Sequence, residues 1–444
     1  MSLPRYPEYK DSGVAWLGEI PAQWGVKRIK HTTYLKGRVG WKGLTSDEYL
    51  DDGYAYLVTG TDFSNKFINW RECHCVDEER YKDDPFIQLR EGDLLITKDG
   101  TIGKVALVSG LDRPACLNSG IFLVRPTAGY ITSYMYWVLQ SGSFKKFCDL
   151  ASLGSTIQHL YQNVFEDFAF SLPSAQEQTS IARFLDRETR KIDALIDEQE
   201  KLIALLAEKR QATISNAVTR GLNPDAPMKD SGGAWLGGVP AHWEIVRLGA
   251  LFREVQDSGW DELPVLSVSI HDGVSDKELT EGEMDRKVAR SDDRSKYKEV
   301  RPGDLTYNMM RAWQGGFGTV TVHGMVSPAY VVARPTKDFI TSHVEMLLRT
   351  PQAVLEMKRY SRGITDFRLR LYWEEFKVIQ IAMPPKREQL EISAFVCAES
   401  AKVDELTSEA ERVIALLKER RSALIAAAVN GQIDVREVLE ATSA

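Results

Sequence analysis

The residues best suited to chemistry in this chain lie in polar loops that occur as two sets. The first set holds Lys36, Arg38, Trp41 and Lys42, then Lys98, Thr101 and Lys104 in KDGTIGK, then Ser155, Thr156, Gln158 and His159 in GSTIQHL. The second holds Asn308, Arg311, Trp313 and Gln314 in YNMMRAWQGG, then Arg362, Asp366, Arg368 and Arg370 in SRGITDFRLR. Such side chains hydrogen-bond base edges, and the cationic ones neutralise phosphates. Ordinary solvated loops with tryptophans as local core have a similar composition. Taken singly the residues decide little; as two matched sets they point to nucleic acid.

Catalytic chemistry is not legible. There is no GxxxxGK(S/T) phosphate loop, no HExxH and no GxSxG. An adenine methyltransferase would carry an Asp/Asn-Pro-Pro-aromatic run, which neither Asn223-Pro224-Asp225 nor Pro384-Pro385-Lys386 supplies. Glu375-Phe376-Lys377 resembles the tail of a nuclease motif, without a matched acidic residue upstream. Cys73-His74-Cys75 could attract a metal, but a structural site takes four ligands and no second cluster exists. The expectation is a chain with no catalytic, cofactor-binding or metal-ligating residues of its own.

The elements that must position the loops are dominated by one stretch, from about Ser174 to Val218. It has no internal Gly or Pro, and apolar residues recur at Ile181, Phe184, Leu185, Ile192, Leu195, Ile196, Leu202, Ile203 and Leu206. That spacing is helical and near-heptad. Ser174 and Glu177 form a capping box just after Pro173. At 1.5 Å per residue, about 43 residues make a rod roughly 64 Å long, which needs a partner for its apolar stripe.

A second such stretch lies 211 positions on, over 388–429. Glu177-Gln178 fall on Glu388-Gln389, Phe184 on Phe395, Lys191 on Lys402 and Asp193 on Asp404. Polar as well as apolar positions match, which marks a duplication. It extends further. KDSGVAWLGEIPAQW at 10–24 returns as KDSGGAWLGGVPAHW at 229–243, Gly92-Asp93-Leu94 as Gly303-Asp304-Leu305, and Arg125-Pro126-Thr127 as Arg334-Pro335-Thr336. Between these anchors the copies differ strongly.

The repeating unit is thus a linker motif, a variable domain of roughly 140 residues and a long helix. Each variable domain is expected to be α+β. In the first, strands are expected in DLLITKDG, KVALVSG and Ile121–Val124, with a helix over 131–148. In the second they are expected in PVLSVSI, DLTYNMM, GTVTV and AYVVARP, with a helix near 341–359. The expected segments are 1–172 (linker motif and first domain), 173–220 (first helix), 221–384 (linker motif and second domain), 385–430 (second helix) and a tail, 431–444. Chain reach favours antiparallel helices. A parallel pair would force the chain after Val218 back along the whole rod, whereas an antiparallel pair ends helix 1 beside the second domain. The expected fold is two similar α/β domains separated by an antiparallel coiled coil with an internal pseudo-twofold repeat, packed through Ile192, Leu195, Leu202, Leu206, Val403, Leu406, Val413 and Leu417.

Composition bounds the rest. The 444 residues are 43% hydrophobic and 27% charged, as in a globular protein. No uncharged apolar run reaches the roughly 18 residues of a membrane span. The opening MSLPRYPEYKDSG lacks a signal pattern, and five cysteines in no even framework fit a reducing cytoplasm. A net charge of −7 argues against a freestanding nucleic-acid coat and suggests that a partner supplies part of any grip. Two divergent domains at fixed separation suit a two-part target along a DNA duplex.

Over essentially its full length the sequence resembles the specificity subunit of type I DNA restriction–modification systems. The carrying residues are WLGEIPAQW and WLGGVPAHW, the two RPT and ITS segments, GSTIQHL, SPAYVVARP, and the junctions LPSAQEQTSIARFLD and MPPKREQLEISAFV. The resemblance implies two target-recognition domains, each reading half of an interrupted double-stranded DNA site, with the helices as ruler and platform for two modification subunits. Those partners would bring S-adenosylmethionine and methylate adenine N6. Restriction subunits would bring ATP- and Mg2+-dependent translocation and cleavage. A non-catalytic protein-interaction scaffold is the rival reading.

Overall fold

The computed structural model describes residues 4–38, 48–151, 159–260, 262–270, 273–279, 294–363 and 369–436. The chain forms two compact units. The first comprises Met1–Gln199 with Arg412–Ala444, and the second comprises Glu200–Glu411. Each draws on both long helices, Ala175–Arg220 and Lys386–Val429.

In the first unit a six-stranded sheet runs in the order Thr33–Gly37, Ile121–Pro126, Leu94–Thr97, Val105–Leu107, Phe67–Ile68, Phe63–Ser64. Its pairings are antiparallel except that between Val105–Leu107 and Phe67–Ile68. A three-stranded sheet of Ala115–Leu117, Ala55–Val58 and His74–Val76 adds a second core under it. In the second unit the corresponding sheet has four strands, Phe252–Val255, Tyr330–Pro335, Leu305–Asn308 and Phe317–Thr319, all antiparallel. Both sheets keep the same central arrangement, with the GDL strand beside the strand that ends in Arg-Pro.

The anchors shared by the two copies hold this frame. Asp93 is buried and takes a forked pair of bonds from Arg125, at 2.7 and 2.6 Å. Asp304 takes the same from Arg334, at 3.0 and 2.9 Å. A bidentate guanidinium is the group that satisfies a buried carboxylate. Each linker motif buries its second tryptophan. Trp24 Nε1 donates to Glu177 Oε1 at 3.2 Å, and Trp243 Nε1 to Glu388 Oε1 at 3.1 Å.

The adjoining glutamine closes each helix start. Gln178 Oε1 accepts from Ile131 N at 2.9 Å while its Nε2 donates to Pro173 O at 3.0 Å. Gln389 does the same with Ile340 N and Pro384 O, both at 2.8 Å. The matched Glu-Gln pairs of the sequence are therefore helix-end fittings. Ser174 and Glu177 make the expected capping box, with Glu177 N on Ser174 Oγ at 3.3 Å and Ser174 N on Glu177 Oε2 at 3.1 Å.

Within each unit the start of one long helix lies with the end of the other. The first core contains Ile181, Phe184 and Leu185 together with Ile425, Ala428 and Val429. The second contains Ala217 and Val218 together with Ile392 and Val396. The pairing is thus antiparallel in both. One ion pair occurs twice, Asp193–Arg421 at 2.8 Å in the first unit and Asp404–Arg210 at 2.7 Å in the second. These are the same two repeat positions with the helices exchanged, so the duplication supplies its own cross-helix register mark.

The packing stripe differs from the expected one. Ile192 and Leu206 are buried, but Leu195 is 46% exposed and Leu202 41%; Ile196 and Ile203 turn inward instead. On the second helix Val403, Val413 and Leu417 are half-buried, Leu406 is 49% exposed, and Ala410 lies at the seam. The inward positions 192, 196, 203 and 206 fit a heptad seam, and Leu195 and Leu202 sit one position off it.

Each single helix expected after the sheet is in fact two. Thr132–Leu139 is followed by Gly142–Ala151, and Thr341–Leu348 by Pro351–Tyr360. In the second case Thr350 caps the new helix and Pro351 supplies its first turn, where its missing N–H costs nothing. PVLSVSI contributes only the short strand Val268–Ser269.

Candidate nucleic-acid interface

The polar loops collect at corresponding ends of the two sheets. In the first unit, Thr33–Gly37 and Leu94–Thr97 end where Ile121–Pro126 and Val105–Leu107 begin. This places Lys36, the 97–104 loop and the 118–120 turn together. Leu160 N donates to Lys98 O at 2.9 Å and ties the 159–161 segment to the same end. In the second unit, Leu371 N donates to Met309 O at 2.9 Å and joins the 308–316 loop to the 369–371 segment. Lys98 and Met309, and Leu160 and Leu371, are related by the repeat, so the duplication preserved the tie while the residues around it changed.

The first cluster is tightly laced. Thr97 Oγ1 donates to Thr101 O at 2.5 Å and accepts from Lys104 N at 3.0 Å, and Lys98 N donates to Gly120 O at 2.9 Å. Gly103 sits at φ +86°, a conformation glycine adopts without strain. Lys36, Thr101 and Lys104 are exposed, and Lys98 Nζ lies 5.2 Å from the Phe122 ring centroid. His159 is exposed, with Nδ1 2.6 Å from Asp99 Oδ1. Asp99 was missed in the sequence because only the Leu160–Lys98 tie brings it to His159.

Arg38 is corrected. It is 2% exposed, with Nε donating to Leu117 O at 2.9 Å and Nη2 3.7 Å from Cys116 Sγ. Its guanidinium satisfies backbone at the end of the three-stranded sheet and faces the interior, not a ligand. Burial pushes the Cys116 thiol up to about 11, with the nearby Arg38 charge acting in the opposite direction. Trp41, Lys42, Ser155, Thr156, Gln158, Asp366 and Arg368 lie outside the described residues.

The second cluster is more basic. Asn308 Oδ1 accepts from Met310 N at 2.9 Å and shapes the turn that presents Arg311 and the exposed Gln314. Trp313 Nε1 donates to Met310 O at 3.0 Å, and Lys358 Nζ lies 5.5 Å from its ring centroid. Arg362 and Arg370 are both exposed and pair through reciprocal backbone hydrogen bonds at 2.9 Å, while the Arg362 guanidinium meets Glu375. Glu375 of the nuclease-like triplet is therefore an ion-pair partner.

Cys73 and Cys75 are buried, and desolvation pushes the Cys73 thiol well above its usual range. Among the described residues no group of three or more His, Cys, Asp and Glu is placed to hold a metal ion, and no helix is long and apolar enough to cross a membrane.

Comparison with known proteins places this architecture. Residues 41–204 match the family described as type I restriction modification DNA specificity domain. The chain is 20% identical over 434 residues to the EcoKI specificity subunit of Escherichia coli K12, covering 94% of this chain and 90% of that one. It is 24% identical over 253 residues to the MjaIX specificity subunit of Methanocaldococcus jannaschii, 55% of each chain. Among solved structures, the HsdS subunit from Thermoanaerobacter tengcongensis superposes with a TM-score of 0.51 at 14% identity, covering 93% of this chain and 98% of that one. A chain from a type I R-M system, solved to explain complex assembly and conformational transition, superposes at 0.60 with 16% identity, covering 93% and 99%. Residues 41–204 thus match a type I restriction modification DNA specificity domain, and over nearly its whole length the chain is similar to type I specificity subunits in sequence and to solved type I subunits in fold.

Proposed function

We infer that this chain is the non-catalytic sequence-specificity subunit of a type I restriction–modification complex, and that each of its two recognition domains reads one half of an interrupted DNA site. The observation that carries the reading is the doubled loop cluster: one backbone tie, conserved by the repeat, presents two different sets of polar side chains. A shared frame with divergent readers is what two unlike half-sites require. The recognition domains are residues 1–172 and 221–384, with 173–220 and 385–430 as spacers and 431–444 as a tail. The contacts to DNA come from Lys36, Lys42, Lys98, Thr101, Lys104, Ser155, Thr156, Gln158 and His159 in the first domain. In the second they come from Asn308, Arg311, Gln314, Arg362, Arg368 and Arg370.

The partners in this reading are two modification subunits, which bind S-adenosylmethionine and methylate adenine, and restriction subunits that use ATP and Mg2+. The complex acts in the cytoplasm. Leu195, Leu202 and Leu205 on the first long helix, and Leu406 and Leu416 on the second, are exposed. They support the helices as a platform for the modification subunits, since exposed apolar groups clustered on one element mark interaction surfaces. Single-molecule sequencing of adenine methylation, in cells expressing the chain with its modification subunit, tests the reading. The expected result is a new interrupted motif that requires this chain. An assembled complex that binds S-adenosylmethionine and yields no motif would overturn it.

A further inference from the structure

The Asp99–His159 pair stands out within the first loop cluster. A carboxylate on a surface meant for phosphates is disfavoured, since it repels the backbone that Lys36, Lys98 and Lys104 would attract. It is useful there only where it meets a hydrogen-bond donor. On the major-groove edge the donors are the exocyclic amino groups, cytosine N4 and adenine N6. Asp99 Oδ1 is occupied by His159 Nδ1 at 2.6 Å; among the described residues Oδ2 takes no hydrogen bond. Both side chains are about two-fifths exposed, so a base edge can reach them.

The carboxylate is also held in place. Its backbone follows Lys98, which is fixed on both sides by Gly120 and Leu160, and lies within the loop closed by the Thr97–Thr101–Lys104 lacing. At the matching positions of the second unit stand Met310 and Arg370, both exposed. Where the first unit carries the carboxylate–imidazole pair, the second thus carries an apolar side chain and a cation.

We propose that Asp99, oriented by His159, is a specificity-determining residue of the first recognition domain and accepts a hydrogen bond from an exocyclic amino group, cytosine N4 or adenine N6, of its half-site. This rests on the reading of the chain as a DNA specificity subunit. Asp99 touches the base; His159, besides its own contact to DNA, positions the carboxylate.

The test uses the full chain co-expressed with its modification subunit, as wild type, Asp99→Ala and His159→Ala. Wild type gives an interrupted motif with cytosine or adenine fixed at the position read, which also tells the two bases apart. Asp99→Ala relaxes that one position, with a loss of discrimination of roughly ten- to a hundredfold. The other half-site and the gap stay unchanged, and His159→Ala relaxes the same position less. If the Asp99→Ala motif is identical to wild type at every position, the proposal fails while the specificity reading stands. If wild type itself gives no motif, the reading fails and takes the proposal with it. Should Asp99→Ala abolish methylation, the purified Asp99→Ala complex is titrated with duplexes differing only at that base pair. Equal affinity supports the proposal, and a retained wild-type preference overturns it.

Discussion

The two recognition units share a frame and differ in what the frame carries. In the first, the tied loops present Asp99 and His159 beside lysines, over a six-stranded sheet with a second sheet beneath. In the second, the same tie presents Arg311, Gln314 and Arg370 over a four-stranded sheet. Yet the Arg–Asp forks, the buried tryptophans and the glutamine helix fittings are nearly superimposable as chemistry. The difference teaches that selection held the polar interior constant, where one missing partner strands a buried charge, and left the loops free to change.

That comparison can be broken most forcefully at the frame. Arg125→Ala and Arg334→Ala each leave a buried aspartate unpaired and are expected to cost about 3–5 kcal/mol in their own unit. Denaturant unfolding with a probe in each unit checks this. A small loss in either would mean that the forks do not hold the frame.

A second difference is acid sensitivity. Tyr134 and His343 both follow their ITS segments by one residue and are both fully buried. The Tyr134 hydroxyl donates to Ser171 O at 2.9 Å, whereas among the described residues neither ring nitrogen of His343 has a partner. Desolvation lowers the His343 pKa from 6.5 to about 4. The neutral ring is favoured in the fold, so the unfolded chain binds the extra proton between those values. Stability is fully present above about pH 6.5 and declines as pH falls towards 4, by at most about 3 kcal/mol. Urea melts of wild type and His343→Leu at pH 7.5 and 5 measure it; the variant should lose less on acidification. Identical pH responses would assign the acid sensitivity elsewhere.

At the readers the effect is smaller and local. Arg370→Ala should weaken binding to the second half-site by about 1–3 kcal/mol and relax one position there, with the first half-site unaltered. Competition binding with half-site variants reads it, and relaxation in both halves would contradict modular recognition. The smallest effect is expected at the repeated ion pair. Asp193→Asn or Asp404→Asn should cost under about 1 kcal/mol, because both pairs are substantially exposed. A larger loss in thermal melts would show that the pairs fix register as well as decorate it.

Much of this was legible in one dimension. The duplication, the long helices, the capping box and the two loop sets follow from spacing alone, since helix periodicity and matched polar positions are local signals. The misreadings have a common cause. Leu195 and Ile196, like Leu202 and Ile203, are adjacent apolar pairs, so the first helix carries two neighbouring stripes of similar hydrophobicity. Only the partner helix decides which one is covered. Arg38 looked like a phosphate ligand because an arginine after a glycine-ended strand reads as loop. The carbonyl of Leu117, 79 positions away, claims it instead.

By itself, then, the sequence determined that this protein is built twice from a linker, a variable domain and a long helix, because each signal needs only neighbours within a few turns of chain. Tertiary structure alone decided which arginines serve the interior, which leucines remain outside, and that Asp99 stands against His159. Those outcomes depend on contacts between residues far apart in sequence, whose competition for the same buried space and the same hydrogen bonds no local pattern encodes.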